Sequence, residues 1–296
     1  EKGGGGGVIL RGILKDYPSE KLMWFTLNKF RDKIKWWRPA VARQESFWGF
    51  RGLRHGLIRK LFISYGYRVN SFIAARSALS AAKRFNPDVC WFVLDHDTVF
   101  AGEWFIDNFD KPVHISVHDD PEIAAKISGY SALASKVKDS FRKCWSKAAS
   151  RDCISERMAF LYANLYKVNA ELVIRRGIEE SSLDSGEVAV KVLSKPIRIF
   201  MGGDTAVENG WPSTITNALV LLAKNNISVE FHGFDTRLKG IGGPVVHYKF
   251  LPEPEFDKII NGMHIGYAAD PLTEIGRRFA ATSFPTKIIT YLGAGL

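Results

Sequence analysis

The sequence lacks any uninterrupted apolar run of the roughly 18 to 20 residues that a membrane-spanning helix needs. It also lacks, at its start, the basic and then apolar segment of a secretory signal. Cysteine is scarce: Cys90, Cys144 and Cys153 are odd in number and show no CxxC spacing, which argues against a disulfide framework and a zinc site. These absences predict a cytoplasmic protein with reduced thiols and no bound metal.

Two familiar phosphate-binding patterns are missing as well. No glycine-rich stretch fits GxGxxG with a downstream acid or GxxxxGK[ST], which disfavours nicotinamide and P-loop chemistry. Gly3–Gly7 nevertheless precede an apolar helical pattern, and Gly202, Gly203 and Asp204 follow a strand pattern at 197–201. A glycine loop at a helix N-terminus can admit a phosphate. An expression linker for the first stretch and an ordinary tight turn for the second remain the alternatives.

What the chain has is apolar content and uneven charge. Its 296 residues are 46% hydrophobic, which is enough for two domain cores. Residues 1–180 hold 30 Lys and Arg against 20 Asp and Glu, whereas residues 181–296 hold 11 of each. The whole net charge of +10 therefore lies in the first part of the chain.

Residues 29–60 concentrate that charge. They carry ten basic side chains against two acidic ones, together with three Trp and three Phe. Cations among aromatic rings are typical of a surface that docks on an anionic membrane. Single-stranded nucleic acid and a merely solvated basic face remain open from composition alone.

Short apolar runs rich in Val, Ile and Phe alternate with segments of helical spacing, the pattern of parallel strands joined by crossover helices. The pattern predicts separate helices at 54–64 and 71–85, and further helices at 156–166 and 253–261. We expect an N-terminal domain at 1–180, a linker at 181–195 and a C-terminal domain at 196–296. The linker is predicted because Ser181, Ser182, Asp184, Ser185 and Gly186 interrupt the apolar pattern. Both ends of the chain look cut.

The order of these features resembles a known family. Residues 86–97 (NPDVCWFVLDHD) and 111–121 (KPVHISVHDDP) resemble strands of the acceptor domain of family 4 glycosyltransferases, which have the GT-B fold. Residues 197–204 (IRIFMGGD), 247–271 and 283–296 (SFPTKIITYLGAGL) resemble the donor domain, the last of these its Pro-x-Lys-x-x-Glu-Tyr-x-x-x-Gly signature. The resemblance implies an α/β chain of two Rossmann-like domains facing across a cleft, with parallel sheets flanked by helices.

The resemblance also implies roles for individual residues. His118 and Asp119 are expected to be catalytic on the acceptor side, which also includes Gly5, Gly6, Gly7, Arg175 and Arg176. The expected donor site comprises Gly202, Gly203, Asp204, Phe250, Leu251, Arg277, Thr282, Pro285, Thr286, Lys287 and Thr290. The alternative for His118 is a purely structural histidine at a strand end, with its hydrogen bonds made inside the protein. The alternative for Arg277 is a cation exposed on the surface.

The implied activity is sugar transfer from a nucleotide-diphosphate sugar to a glycan or lipid-linked acceptor in cell-envelope synthesis. No metal, cofactor or nucleic acid is expected, and the anionic membrane face of residues 29–60 would make the protein peripheral. Where the family has two glutamates, this chain has Thr282 and Thr290. A catalytically degenerate protein that binds or scaffolds is therefore the alternative, and a nucleic-acid-binding protein ranks last.

Overall fold

The computed structural model describes residues 5–27, 43–46, 57–175, 177, 193–202, 211–233, 244–248, 253–268 and 273–296. These residues form two compact α/β units. The first comprises residues 1–175 and 278–284, and the second comprises 176–277 and 285–296. Among the described residues, no helix is both long enough and apolar enough to cross a bilayer.

Among the described residues, the first unit contains six strands and six complete α-helices. In chain order they are α1 (Gly5–Leu14), β1 (Met23–Thr26), β2 (Arg43–Ser46), α2 (Leu57–Phe85), β3 (Cys90–Leu94), α3 (Val99–Asn108), β4 (Val113–Val117), α4 (Pro121–Ile127), α5 (Ala134–Lys147), β5 (Ser150–Cys153), α6 (Glu156–Tyr166) and β6 (Leu172–Val173). Strands β3, β4, β5 and β6 form a parallel sheet in that order, and β1 pairs with β2 in parallel.

One face of the four-stranded sheet carries the core. Val113, Ile115 and Val117 of β4 are almost fully buried against side chains from α2, α3, α5 and α6, because alternate residues of a strand point to the same face. The opposite face of β4 presents His114 and Ser116 instead. The first sheet is therefore apolar on one side and polar on the other.

The second unit is smaller. It comprises β7 (Ile197–Met201), α7 (Trp211–Lys224), β8 (Val229–Gly233), β9 (Val245–His247), α8 (Glu253–Asn261), β10 (Ile265–Gly266), the start of α9 (Glu274–Thr282) and α10 (Thr286–Gly293). All four strands are parallel, in the order β10-β7-β8-β9. Met201 packs with α7, whereas Phe200 packs with α8 and α10, so helices cover both faces.

Three expectations need correction. The helices predicted at 54–64 and 71–85 are one helix, α2, since the buried Ala74, Ala78 and Ala82 pack it against the core over its second half. Gly5, Gly6 and Gly7 form the first turn of α1 rather than a loop before it. Residues 278–284 pack with the first unit instead of the second, where the hydroxyl of Ser155 donates to the carbonyl of Thr282 at 2.6 Å.

Candidate functional site

Polar residues gather at the carboxyl edge of the first sheet. Because β3, β4 and β5 are parallel, the residues that follow them lie at the same edge. Asp95, His96 and Asp97 follow β3, His118 and Asp119 follow β4, and Ser155 follows β5 shortly after. This edge is the candidate acceptor site of the first unit.

His118 and Asp119 lie where the sequence placed them. His118 is buried directly beyond β4, and the hydroxyl of Ser283 donates to Asp119 Oδ1 at 3.4 Å. The neighbouring Asp120 caps α4, because its Oδ1 accepts from the backbone N–H of Ile123 at 2.9 Å. Its other oxygen accepts from the hydroxyl of Tyr162 at 3.0 Å. Asp120 therefore starts a helix, while the catalytic roles of His118 and Asp119 stay predictions.

His96 is a further candidate, which the family resemblance does not include among the expected site residues. Its Nδ1 lies 2.6 Å from Asp95 Oδ1 and its Nε2 lies 3.5 Å from Asp97 Oδ1. The imidazole also lies near the ring of Tyr130, with the ring centroids 5.9 Å apart and the two planes tilted by 34°. A histidine between two carboxylates after a buried strand was the available signal.

A second missed feature is a polar cluster on the non-core face of the first sheet. His114 Nε2 lies 2.7 Å from Asp152 Oδ2, which also accepts from the hydroxyl of Ser116. The indole N–H of Trp91 donates to Ser116 Oγ, and Ser150 Oγ lies 2.7 Å from His114 Nδ1. The alternation of polar residues along β4 and β5 was its signal.

Thr282 and Arg175 have contacts within the first unit. The Thr282 side chain is 4% exposed, and its hydroxyl donates to the carbonyl of Phe279 at 3.1 Å in its own helix. Arg175 pairs with Glu156 and lies over the ring of Phe284 at 5.2 Å. Neither set of contacts involves residues of the second sheet.

In the second unit the strand order creates a topological switch point. The chain runs from β7 outward through β8 to β9 and then returns to place β10 on the other side of β7. In open α/β sheets of this kind, ligands bind beyond the carboxyl ends of the two strands where the order reverses. Gly202 follows β7 and Tyr267 follows β10, so these residues mark the candidate donor site.

Helix α10 contributes two side chains to that point. A Cβ placed on Gly202 would lie 3.9 Å from Lys287 Cγ and 3.5 Å from the hydroxyl oxygen of Tyr291. That hydroxyl accepts from the N–H of Gly202 at 2.8 Å and donates to the carbonyl of Tyr267 at 2.9 Å. Gly202 and Lys287, both expected in the donor site, therefore lie close together.

The other expected donor residues lie on α9, at or in α10, or outside the described ranges. Pro285 precedes the first turn of α10 and Thr286 begins it, while Thr290 lies one turn further on. Arg277 is exposed near the middle of α9. Residues outside the described ranges are Arg176, Gly203, Asp204, Phe250 and Leu251, and so is most of the basic segment 29–60.

The described part of the chain offers few candidate residues for metal binding or thiol catalysis. Within it, no group of three or more His, Cys, Asp or Glu side chains is arranged to hold a metal ion. All three cysteines carry free thiols. Burial raises the pKa of Cys90 to about 11 and raises those of Cys144 and Cys153 further, so none is an activated thiolate.

Comparison with known proteins rests on structure alone. No family model matches the chain, and neither does any curated protein. It is similar to the α,α-trehalose-phosphate synthase (UDP-forming) of Burkholderia xenovorans, with 12% identity, a TM-score of 0.57, and coverage of 96% of this chain and 80% of that one. It is also similar to a protein assigned as a UDP-N-acetylglucosamine 2-epimerase from Listeria monocytogenes, with 9% identity, a TM-score of 0.52, and coverage of 88% and 68%.

Both of these proteins have the GT-B fold. The predicted α/β fold with parallel sheets flanked by helices is therefore confirmed, and so is the resemblance to GT-B proteins. The narrower likeness to family 4 stays a resemblance carried by the sequence motifs.

Proposed function

We propose that the chain is a glycosyltransferase that moves a sugar from a nucleotide-diphosphate sugar to a glycan or lipid-linked acceptor in cell-envelope polysaccharide or glycolipid synthesis. The observation that carries the proposal is the switch point of the second sheet, where Lys287 of α10 lies beside Gly202. A cation in the first turn of a helix at a crevice of this kind suits a diphosphate. Both similar structures are named for UDP or for a UDP-sugar, which supports such a donor.

In the proposed reaction, the bond between the anomeric carbon of the sugar and the diphosphate breaks, and an acceptor oxygen bonds to that carbon. Negative charge grows on the departing diphosphate, so a fixed cation there stabilises the transition state more than the ground state. Lys287 and the first turn of α10 are proposed for this role, with Arg277 as a further cation. His118, oriented by Asp119, is proposed to act beside the transferred sugar and take up the acceptor proton.

The test begins with calorimetry, using UDP, GDP, ADP and dTDP on the full chain. Lys287→Ala is expected to weaken binding of the preferred nucleotide roughly ten- to a hundredfold, since hydrogen bonds to charged groups contribute about 1.5–3 kcal/mol. Lys224→Ala, which removes an exposed cation at the end of α7, is the matched control and should leave affinity unchanged. Absence of binding by all four nucleotides would contradict the proposal.

Catalytic degeneracy is a second candidate, and the described contacts of Thr282 favour it. The resemblance expects a glutamate there, whereas Thr282 is buried with its hydroxyl bonded to its own helix. Release of nucleotide from the matching nucleotide-sugar, with and without EDTA, separates the candidates. Turnover that survives EDTA supports a metal-independent transferase, whereas tight binding without turnover supports a binding module.

The peripheral-membrane part of the proposal gains support from the surface of α2. Phe72 is 42% exposed, Ile73 is 38% exposed and Val69 lies one turn earlier on the same stripe. The sequence of α2 contains no acidic residue, and its basic residues are Arg59, Lys60, Arg68, Arg76, Lys83 and Arg84. Apolar rings flanked by cations suit an anionic bilayer surface.

Vesicle sedimentation tests this part separately. We expect the protein to sediment with phosphatidylglycerol vesicles, but not with phosphatidylcholine vesicles, and to be released by high salt. The double variant Phe72→Ser, Ile73→Ser should lose the association. Phe160→Ser, which removes an exposed ring from α6, should keep it. Equal sedimentation of both variants would exclude the α2 surface.

A further inference from the structure

The parallel pairing of β7 with β10 ends at an inserted side chain. Ile199 pairs with Ile265 and Phe200 with Gly266, and the N–H of Tyr267 donates to the carbonyl of Phe200 at 2.7 Å. In a parallel ladder the next bond would run from the N–H of Gly202 to the carbonyl of Tyr267. Both of these groups bond instead to the hydroxyl of Tyr291, at 2.8 and 2.9 Å.

The hydroxyl of Tyr291 therefore occupies the position of one ladder bond. It accepts from one strand end and donates to the other, so neither backbone group is left unsatisfied and the two strands are held apart by one oxygen atom. Burial raises the pKa of Tyr291 to about 12, which keeps the phenol protonated and able to donate at neutral pH. The same bonds fix α10, and with it Lys287, against Gly202.

We propose that Tyr291 is a positioning residue that ends the pairing of β7 and β10 and thereby sets the opening in which a nucleoside diphosphate binds. The inference rests on the proposed donor site at this edge. Because the N–H of Gly202 bonds to Tyr291, this N–H positions the strand end and does not itself face a phosphate.

The test is Tyr291→Phe, which keeps the ring and removes only the hydroxyl. Without it, the Gly202 N–H and the Tyr267 carbonyl are free to pair, so the ladder should lengthen by one bond and narrow the crevice. We expect affinity for the preferred nucleoside diphosphate to fall roughly tenfold or more, because the narrowed crevice no longer holds the binding groups in their fixed positions. Thermal stability should change little.

Tyr248→Phe is the matched control. The Tyr248 hydroxyl lies 2.9 Å from His232 Nδ1 in the same unit, directly after β9, which β8 separates from β7 in the sheet. This variant should keep full nucleotide affinity. Equal losses of affinity in both variants, or none in Tyr291→Phe, would overturn the inference.

A crystal structure of Tyr291→Phe separates the inference from the proposed function. A direct hydrogen bond between Gly202 N and Tyr267 O is expected whether or not the protein binds nucleotides. If that bond forms and no nucleotide binds to the unaltered protein, the proposed function fails while the role of Tyr291 in the ladder stands. An unchanged gap between the two strand ends would overturn the role itself.

Discussion

Gly266 of β10 lies directly beneath the aromatic ring of Tyr291 on α10. A Cβ on residue 266 would come within 2.3 Å of Tyr291 Cγ and within 2.8 Å of two further ring atoms. No ordinary side chain tolerates such distances, so the ring reaches the strand ends only because residue 266 has no side chain.

Gly266→Ala should therefore destabilise the second unit. The added methyl group must displace the Tyr291 ring from a tightly packed core, which we expect to cost about 1–3 kcal/mol of the free energy of unfolding. Urea denaturation measures it. Gly12→Ala is the control, since no heavy atom lies within 4 Å of a Cβ at that exposed helical position. Gly12→Ala should be neutral or slightly stabilising, and similar losses in both variants would contradict the packing argument.

Ser155 is expected to stabilise the first unit through two hydrogen bonds. Its Oγ accepts from the N–H of Met158 at 3.1 Å, capping α6, and its hydroxyl donates to the carbonyl of Thr282 at 2.6 Å. Ser155→Ala should lower the free energy of unfolding by about 1–2 kcal/mol. Ser155→Asp keeps the cap but cannot donate to Thr282, so its stability should lie below that of the unaltered protein. An Asp variant that matches the unaltered protein would mean that the bond to Thr282 contributes nothing.

Replacing Asp152 with Ala should lower the free energy of unfolding more than replacing it with the neutral Asn. It is wholly buried, and its Oδ2 serves Ser116 and His114 while Oδ1 is a buried oxygen with no partner among the described residues. Asp152→Ala leaves both neighbours without that acceptor and should cost about 1–3 kcal/mol by chemical denaturation. Asp152→Asn keeps an acceptor and removes a buried charge, so it should cost clearly less. Equal costs would show that the charge itself is required.

His232 should make the second unit less stable in mild acid. Burial lowers its pKa below the ordinary 6.5, an effect that nearby Glu230 opposes and Arg198 reinforces. The unfolded chain therefore takes up the proton at a higher pH than the folded one. This contribution is complete above about pH 6.5 and is lost as the pH falls toward the lower folded-state pKa.

Denaturation curves from about pH 7.5 down to about pH 5 measure this loss. His232→Asn offers an amide to Tyr248 and has no proton to gain, so its stability should fall less steeply over that interval. Parallel curves for the two proteins would assign the pH dependence to other groups.

Much of the fold could be predicted from local patterns. The boundaries of α6 and α8 match the sequence-based helices at 156–166 and 253–261, because Ser155 and the residues that open α8 give clear start signals. The single long α2 could not be predicted, since Gly66 costs about 1 kcal/mol in a helix interior and its presence favours a break between two helices. No helix was predicted at α9, where Arg277 was expected only as a donor-site residue.

The candidate site also has a part that local patterns predict and a part that they do not. A general rule about parallel sheets places His118 and Gly202 at strand ends, and the signature at 283–296 places Lys287 at a helix start. No local pattern predicts that the hydroxyl of Tyr291 replaces a ladder bond. That bond depends on Gly202 and Tyr267, which are far apart in sequence and meet only when the sheet is complete.

The strand orders of the two sheets have a consequence for synthesis on the ribosome. In the first unit every strand of the four-stranded sheet pairs with its neighbour in sequence, so that sheet can grow as the chain emerges. In the second, β7 must wait for Ile265–Gly266, made more than sixty residues later. Until then one side of β7 is an open strand edge, the kind that recruits other chains. A slow, chaperone-dependent final step is thus to be expected for this half of the nascent polypeptide.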